Sequence, residues 1–160
     1  MKEKLLILFL LNIITLVGIY LFFFFIIVIS NSYENMIAYF LAPLVSMAWT
    51  SPIILWILSL VFFYDYAYCT KKTSRRLLGE IFGVSLVAFI ILYIQSRLSD
   101  TYFTLIEAIV IVIFVFGLTQ YAKYVIINKF CSKFNSNKKE GFGLAFIFIP
   151  IITYFIYKII

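Results

Sequence analysis

Glu107 is the side chain best placed to do chemistry inside an apolar segment of this sequence. It lies five residues beyond Tyr102, so at the helical rise it sits roughly 7–8 Å below the end of its segment. A carboxylate within a membrane span suggests a function, such as a cation site, a proton site or the lining of an oligomeric pore. The alternative is structural, a carboxylate near the membrane interface that is protonated or paired with Arg97. We favour the structural interpretation, because Glu107 is not at the midplane and has no second acidic partner.

The sequence contains few other residues that could act as catalytic groups or ligands. The chain has no histidine, which removes the commonest general base and metal ligand. Cys69 and Cys131 each stand alone in a basic segment, so we expect reduced free thiols or, since both lie close to apolar runs, palmitoylation sites. Glu80 follows Arg76 by four residues, the spacing of an ion pair on a helix surface. These patterns predict no catalytic residue, no cofactor and no metal site, and therefore no enzyme.

Long apolar runs set the fold class. The chain is 65% hydrophobic and 12% charged, with a mean hydropathy of +1.11. Runs of about 18 or more apolar residues predict membrane-spanning helices. We expect an all-α integral membrane protein, a five-span transmembrane helical bundle forming a single polytopic domain over 1–160. The predicted spans are about 5–29, 36–64, 77–95, 102–122 and 142–157.

The positive charges predict the orientation of this bundle. With five crossings, 11 of the 13 Lys and Arg residues fall on one side, and cytoplasmic loops retain such charges. The N-terminus is then cytoplasmic and the C-terminus outside. Alternatively, the second run bends back as a re-entrant segment, which flips everything downstream and gives a split of 9 to 4. We favour five crossings because the asymmetry is larger.

The second span combines small residues with two prolines. Pro43 and Pro52 interrupt the backbone hydrogen-bond ladder and predict kinks. Small side chains recur at every fourth position, which lets helix backbones approach closely in lipid. The pattern indicates a kinked helix at the centre of the bundle or, alternatively, a gating or pore-lining helix. We define the small-residue stripe as Ala38, Ala42, Ser46 and Thr50.

The segment 121–139 combines lysines with apolar residues at four-residue spacing. Ile126, Phe130 and Phe134 supply the apolar side, so the segment is typical of an amphipathic helix that continues the fourth span or lies on the membrane surface. We expect its lysines to contact anionic lipid or an acidic cytoplasmic partner, or only to set the topology. Nucleic acid is not expected, because the aromatic residues are needed on the apolar side. The lysines are Lys123, Lys129, Lys133, Lys138 and Lys139.

The sequence as a whole predicts a non-catalytic membrane-embedded subunit that acts through helix–helix association. Its partners would be the lipid bilayer and further copies of itself or other subunits of a membrane complex. Two alternatives remain open: a membrane component of a bacterial phage-defence or toxin-immunity system, and an oligomeric ion channel using Glu107. Abundant Phe, Tyr and Ile indicate an AT-rich gene and favour a bacterial inner membrane, with an organellar inner membrane as the alternative.

Overall fold

The described part of the chain is entirely helical. The computed structural model describes residues 2–29, 35–98, 105–131, 134 and 137–159, which form six α-helices and no β-strand. The predicted all-α architecture is therefore confirmed for these residues. Four helices are each long and apolar enough to cross a membrane, and the bent pair α2–α3 makes a fifth candidate if it counts as one span. The helices are α1 (Lys2–Ile29), α2 (Met36–Trp49), α3 (Ser51–Ala67), α4 (Ser74–Leu98), α5 (Leu105–Phe130) and α6 (Lys138–Ile159).

The run predicted as one span over 36–64 forms two helices that meet at an angle of 80°. The break falls at Thr50, and Pro52 in the first turn of α3 has no N–H with which to continue the ladder of α2. Thr50 closes the end of α2, since its hydroxyl donates to the carbonyl of Ser46 at 2.8 Å. By contrast, α2 continues through Pro43 without interruption. Pro52 therefore marks the break in this run.

The bent pair runs antiparallel along α1. Phe40 of α2 stacks on Phe24 near the C-terminal end of α1, with ring centroids 5.4 Å apart. Phe62 of α3 meets Phe9 near the N-terminal end of α1, at 6.5 Å. The pair thus begins beside one end of α1 and finishes beside the other.

Two clusters of buried side chains lie at opposite ends of α1. The first joins the C-terminal half of α1, through Phe22 and Ile26, to α4 and the start of α5. The second joins Leu8 and Leu11 to Ile127 on the last turns of α5. We call the end that holds the second cluster the basic end, defined by residues 2–11, 64–80, 123–131 and 137–141.

Glycines allow two of the closest helix contacts. A Cβ added at Gly18 of α1 would lie 2.5 Å from Oγ1 of Thr119 on α5. A Cβ added at Gly141 of α6 would lie 2.6 Å from Cβ of Ala67 on α3 and 2.7 Å from its Cα. Small residues at such contacts let helices pack closely where no hydrophobic effect drives association.

Candidate functional site, a buried charge cluster at the basic end

Asp65 and Lys123 form an ion pair inside the bundle. Asp65 lies in the last turn of α3 and is 1% exposed, and Lys123 on α5 is 3% exposed. The ammonium of Lys123 lies 2.7 Å from Oδ2 of Asp65. Neither carboxylate oxygen accepts a hydrogen bond of good geometry, so the attraction of the two charges holds this pair. It ties the end of α3 to α5.

Glu80, near the start of α4, binds two cationic side chains and forms a second charged group. Its carboxylate accepts a hydrogen bond from the Lys72 ammonium at 2.6 Å and from Nε of Arg76 at 3.0 Å. The hydroxyl of Tyr64 donates to the same carboxylate at 3.1 Å. The predicted pair between Arg76 and Glu80 is therefore confirmed, as one part of a larger network.

Lys72 links this network to α5 through its backbone. The Lys72 N–H donates to Oδ1 of Asn128 at 2.6 Å, and Nδ2 of Asn128 donates to the Lys72 carbonyl at 3.2 Å. Burial lowers the pKa of the Lys72 ammonium, although its hydrogen bond to Glu80 and the nearby charge of Asp65 favour the protonated form. Burying Lys72 thus carries a cost that the surrounding acidic groups offset in part.

Cys69 and Cys131 form a disulfide next to these charges, and the prediction of free thiols or palmitoylation sites is wrong. Both residues are fully buried, and their Cα atoms lie 5.1 Å apart although 62 positions separate them in the chain. The error arose because the ends of α3 and α5 meet only in the folded bundle. The disulfide joins the connection between α3 and α4 to the end of α5.

Lysine and arginine side chains lie over tyrosine rings at the basic end. The guanidinium of Arg76 lies 4.1 Å from the ring centroid of Tyr68, and the Lys138 ammonium lies 5.0 Å from the same centroid. The Lys4 ammonium lies 4.0 Å from the ring of Tyr66. These cation–π contacts join α1, α3, α4 and α6 at one end of the bundle.

The structure separates the lysines predicted to contact lipid or a partner. Lys123 points inward and pairs with Asp65, so its buried ammonium contacts neither lipid nor a partner protein. Lys129, Lys138 and Lys139 are exposed, and Lys133 lies outside the described residues. Of the apolar residues of this segment, Ile126 and Phe130 lie on α5, which continues the fourth predicted span as far as Phe130, whereas Phe134 lies beyond its end. The helix expected over 121–139 therefore ends at Phe130.

The other predicted site residues lie away from the charge cluster. Glu107 is exposed in the first turn of α5, and the side chain of its predicted partner Arg97 lies outside the described part. All members of the small-residue stripe are half-buried, three of them on α2 and Thr50 at its C-cap. Pro43 is buried and Pro52 is half-buried. The structure therefore brings none of these residues into the cluster.

Sequence reasoning missed Asp65, Lys72 and Asn128 as members of a site. The available signal was the acidic side chain of Asp65 at the end of an apolar run that Tyr64 and Tyr66 mark as a membrane boundary. An acidic residue at the end of an apolar run, with lysines in two neighbouring basic segments, favours an internal ion pair. Its partner could not be chosen without knowing that the end of α3 lies beside the last turns of α5.

Two apolar grooves lie between helices in the described part of the chain. One, of about 600 Å³, lies between α4 and α5, with Ser85 as its polar member. The other, of about 570 Å³, lies between α1, α3 and α6 and includes Asn12 and Ser59. Within the described ranges, no group of three or more His, Cys, Asp or Glu residues could hold a metal ion. Leu78 and Ile81 of the first groove flank Glu80 in the sequence, but no charged residue of the cluster lines either groove.

Comparison of the chain with protein-family models, curated proteins and solved structures gives no match. The class of the protein is therefore defined by its helices. In its described part, the protein contains only helices, and its long apolar helices, four or five of them candidate membrane spans, indicate a membrane-embedded chain.

Proposed function

We propose that the chain crosses a bacterial inner membrane five times, with its N-terminus in the cytoplasm and its C-terminus outside. The antiparallel course of α2–α3 along α1 supports one bent crossing over a re-entrant loop, because the pair finishes beside the opposite end of α1. The N-terminus, the start of α4 and the end of α5 then share one side, and that side holds most of the positive charge. The basic end faces the cytoplasm.

In this orientation, the disulfide lies on the cytoplasmic side, where thiols are normally kept reduced. Both cysteines are buried beside Leu8, Leu11 and Ile127. Reduction requires a thiolate to reach one of the sulfur atoms, so burial protects this bond from cytoplasmic reductants. We therefore retain the orientation that the Lys and Arg residues favour and assign the disulfide a structural role.

Within that membrane, the protein acts as a non-catalytic subunit that associates with further copies of itself or with other membrane subunits. The observation that carries this proposal is the mutual pairing of the buried charges, Asp65 with Lys123 and Lys72 with Glu80. These groups serve to join helices rather than to exchange protons with a substrate. The grooves present apolar side chains and offer little to orient a polar substrate.

Helix α2 is the association surface in this proposal. It bends away from α3 by 80°, and its small-residue stripe is only half-buried. Leu41, Leu44 and Val45 on the same helix are exposed, and Trp49 is 85% exposed. A half-open stripe leaves room for the backbone of a further helix to approach, which favours association in lipid.

Bulky substitutions in the stripe test this proposal. Ala42→Leu and Ser46→Leu place large side chains at the proposed contact, where overpacking commonly costs about 1–3 kcal/mol. We expect both variants to insert normally and to lose assembly in mild detergent, measured as particle mass by light scattering. Val87→Leu adds bulk at an exposed position of α4, outside the proposed association surface, and should assemble as the wild type does. Wild-type assembly in all three variants, or a wild type that purifies as a single copy, would contradict the proposal.

An ion channel remains the competing function because of Glu107. This carboxylate lies in the first turn of α5, where the helix dipole favours a negative charge, so a structural role accounts for it. We expect the reconstituted wild type to be silent in a planar bilayer and Glu107→Gln to leave assembly unchanged. A cation current whose selectivity collapses in Glu107→Gln would favour the channel, because rings of acidic side chains select cations.

A further inference from the structure

Two cations contact Tyr68 at the basic end, and three further exposed cations are their close neighbours in the sequence. Arg76 and Lys138 lie against the Tyr68 ring, at 4.1 Å and 5.0 Å from its centroid. Lys71, Arg75 and Lys139 are exposed neighbours in sequence on the same two elements, the connection into α4 and the start of α6. We call this surface the Tyr68 patch and define it as Tyr68, Lys71, Arg75, Arg76, Lys138 and Lys139.

Two of the acidic side chains near the Tyr68 patch are directed inward, and a third, Glu140, is exposed and accepts hydrogen bonds from Tyr66 and Asn137. Glu80 binds Lys72 and Arg76, and Asp65 pairs with Lys123 in the interior. None of the ion pairs within the described residues involves Lys71, Arg75 or Lys139. Internal pairing thus accounts for Asp65 and Glu80, and the five cations of the patch outnumber the one exposed acid beside it, Glu140, so the outward surface is positive.

We propose that the Tyr68 patch binds the headgroups of anionic phospholipids. The proposal rests on the membrane orientation given above, in which the patch lies at the cytoplasmic boundary of the bilayer. Anionic headgroups attract each Lys or Arg near the surface by about 1 kcal/mol, and tyrosines favour this depth. Because Lys138 of α6 and Arg76 of α4 both contact the Tyr68 ring, the patch combines cations from two helices.

The position of the patch favours lipid over an acidic protein partner. Phe142 packs its ring edge against Tyr68, with centroids 6.1 Å apart, one turn of α6 beyond Lys138. Apolar side chains thus follow the cations directly on α6, as they do on α4 from Leu77 and Leu78 onward. A headgroup held at the patch can therefore keep its acyl chains against the helices that supply the charges.

Short-chain lipids provide the test in detergent solution. Dioctanoyl phosphatidylglycerol and dioctanoyl phosphatidylcholine are titrated into the purified full-length protein, and the thermal unfolding midpoint is followed. We expect the anionic lipid to raise the midpoint at lower concentration than the zwitterionic lipid does. The double variant Lys71→Gln/Lys138→Gln should weaken the apparent affinity for the anionic lipid, by about fivefold for each lysine replaced.

Two controls keep the outcome interpretable. Lys158→Gln removes an exposed lysine from the last turn of α6, at its opposite end, and should titrate as the wild type does. The single variants Lys71→Gln and Lys139→Gln replace side chains outside the described ion pairs, so a binding loss can be read even if Lys138→Gln impairs folding. Equal lipid responses in the wild type and in all variants would overturn the proposal.

Two further measurements separate the competing explanations. If poly-glutamate raises the midpoint as strongly as the anionic lipid and competes with it, the patch selects acidic chains in general, and the lipid assignment is overturned. Particle mass is recorded in the same samples. Loss of lipid selectivity with assembly intact contradicts only the lipid proposal, whereas loss of assembly with lipid selectivity intact contradicts only the proposed association.

Discussion

Lys123 places its ammonium 2.7 Å from a carboxylate oxygen of Asp65, and both side chains are almost completely buried. The two residues lie on α5 and α3, so the pair joins helices that are distant in the chain. Removing two charges from water costs several kcal/mol for each, and their attraction offsets this cost only while both are present. The pair therefore adds little net stability, but loss of either partner would leave the other charge buried without compensation.

A double-mutant cycle tests whether the stability contributions of Asp65 and Lys123 depend on each other. Replacing only one partner, with Asp65→Leu or Lys123→Met, leaves an uncompensated buried charge, and we expect a loss of about 3–5 kcal/mol in the free energy of unfolding. The double variant removes both charges and should recover most of that loss. Denaturant unfolding in detergent measures all four proteins. Additive losses in the double variant would show that the two side chains do not depend on each other.

Gly141 should tolerate no side chain, because Ala67 occupies the space that a Cβ would need. We expect Gly141→Ala to destabilise the protein by about 1–3 kcal/mol through overpacking between α3 and α6. Gly143 on the same helix has no atom within 4 Å of an added Cβ, so Gly143→Ala is the matched control. It should be neutral or slightly stabilising, since alanine favours the helix. Equal thermal midpoints for both variants would contradict the close contact.

The disulfide should resist alkylation in native membranes. Because Cys69 and Cys131 are paired and buried, a maleimide added before denaturation should leave wild-type protein unlabelled. Mild reductant should change this little, whereas reductant after denaturation should expose both thiols. Gel shift with a large maleimide counts the labelled cysteines. Labelling in native membranes without reductant would show free thiols and remove the disulfide from the fold.

Local patterns predicted those features that depend on neighbouring residues. Apolar runs located the long helices, because a span must satisfy its own backbone hydrogen bonds within one segment. The four-residue spacing of Arg76 and Glu80 predicted their contact for the same reason, since both lie on one face of α4. Pro52 indicated a weak point in the second run, and the helix breaks beside it.

Long-range pairing could not be read from those patterns. Cys69 and Cys131 each looked isolated because 62 positions separate them, and only the packing of α5 beside the end of α3 brings them together. Lys123 looked like one more surface lysine of a basic segment, yet it turns inward to Asp65. In both cases the deciding fact is which helix ends meet, and hydropathy does not encode this.

The central claim is that the chain crosses the membrane five times with the basic end in the cytoplasm. The most direct test is to determine on which side of the membrane each end of the chain lies. Glu3→Cys and Ile159→Cys place single reactive thiols at exposed positions near opposite ends of the chain and leave every Lys and Arg in place. An impermeant maleimide added to intact cells should label Ile159→Cys and should reach Glu3→Cys only after permeabilisation. Labelling of both positions from the same side would contradict five crossings and favour the re-entrant arrangement of α2–α3. Labelling of Glu3→Cys alone in intact cells would reverse the orientation.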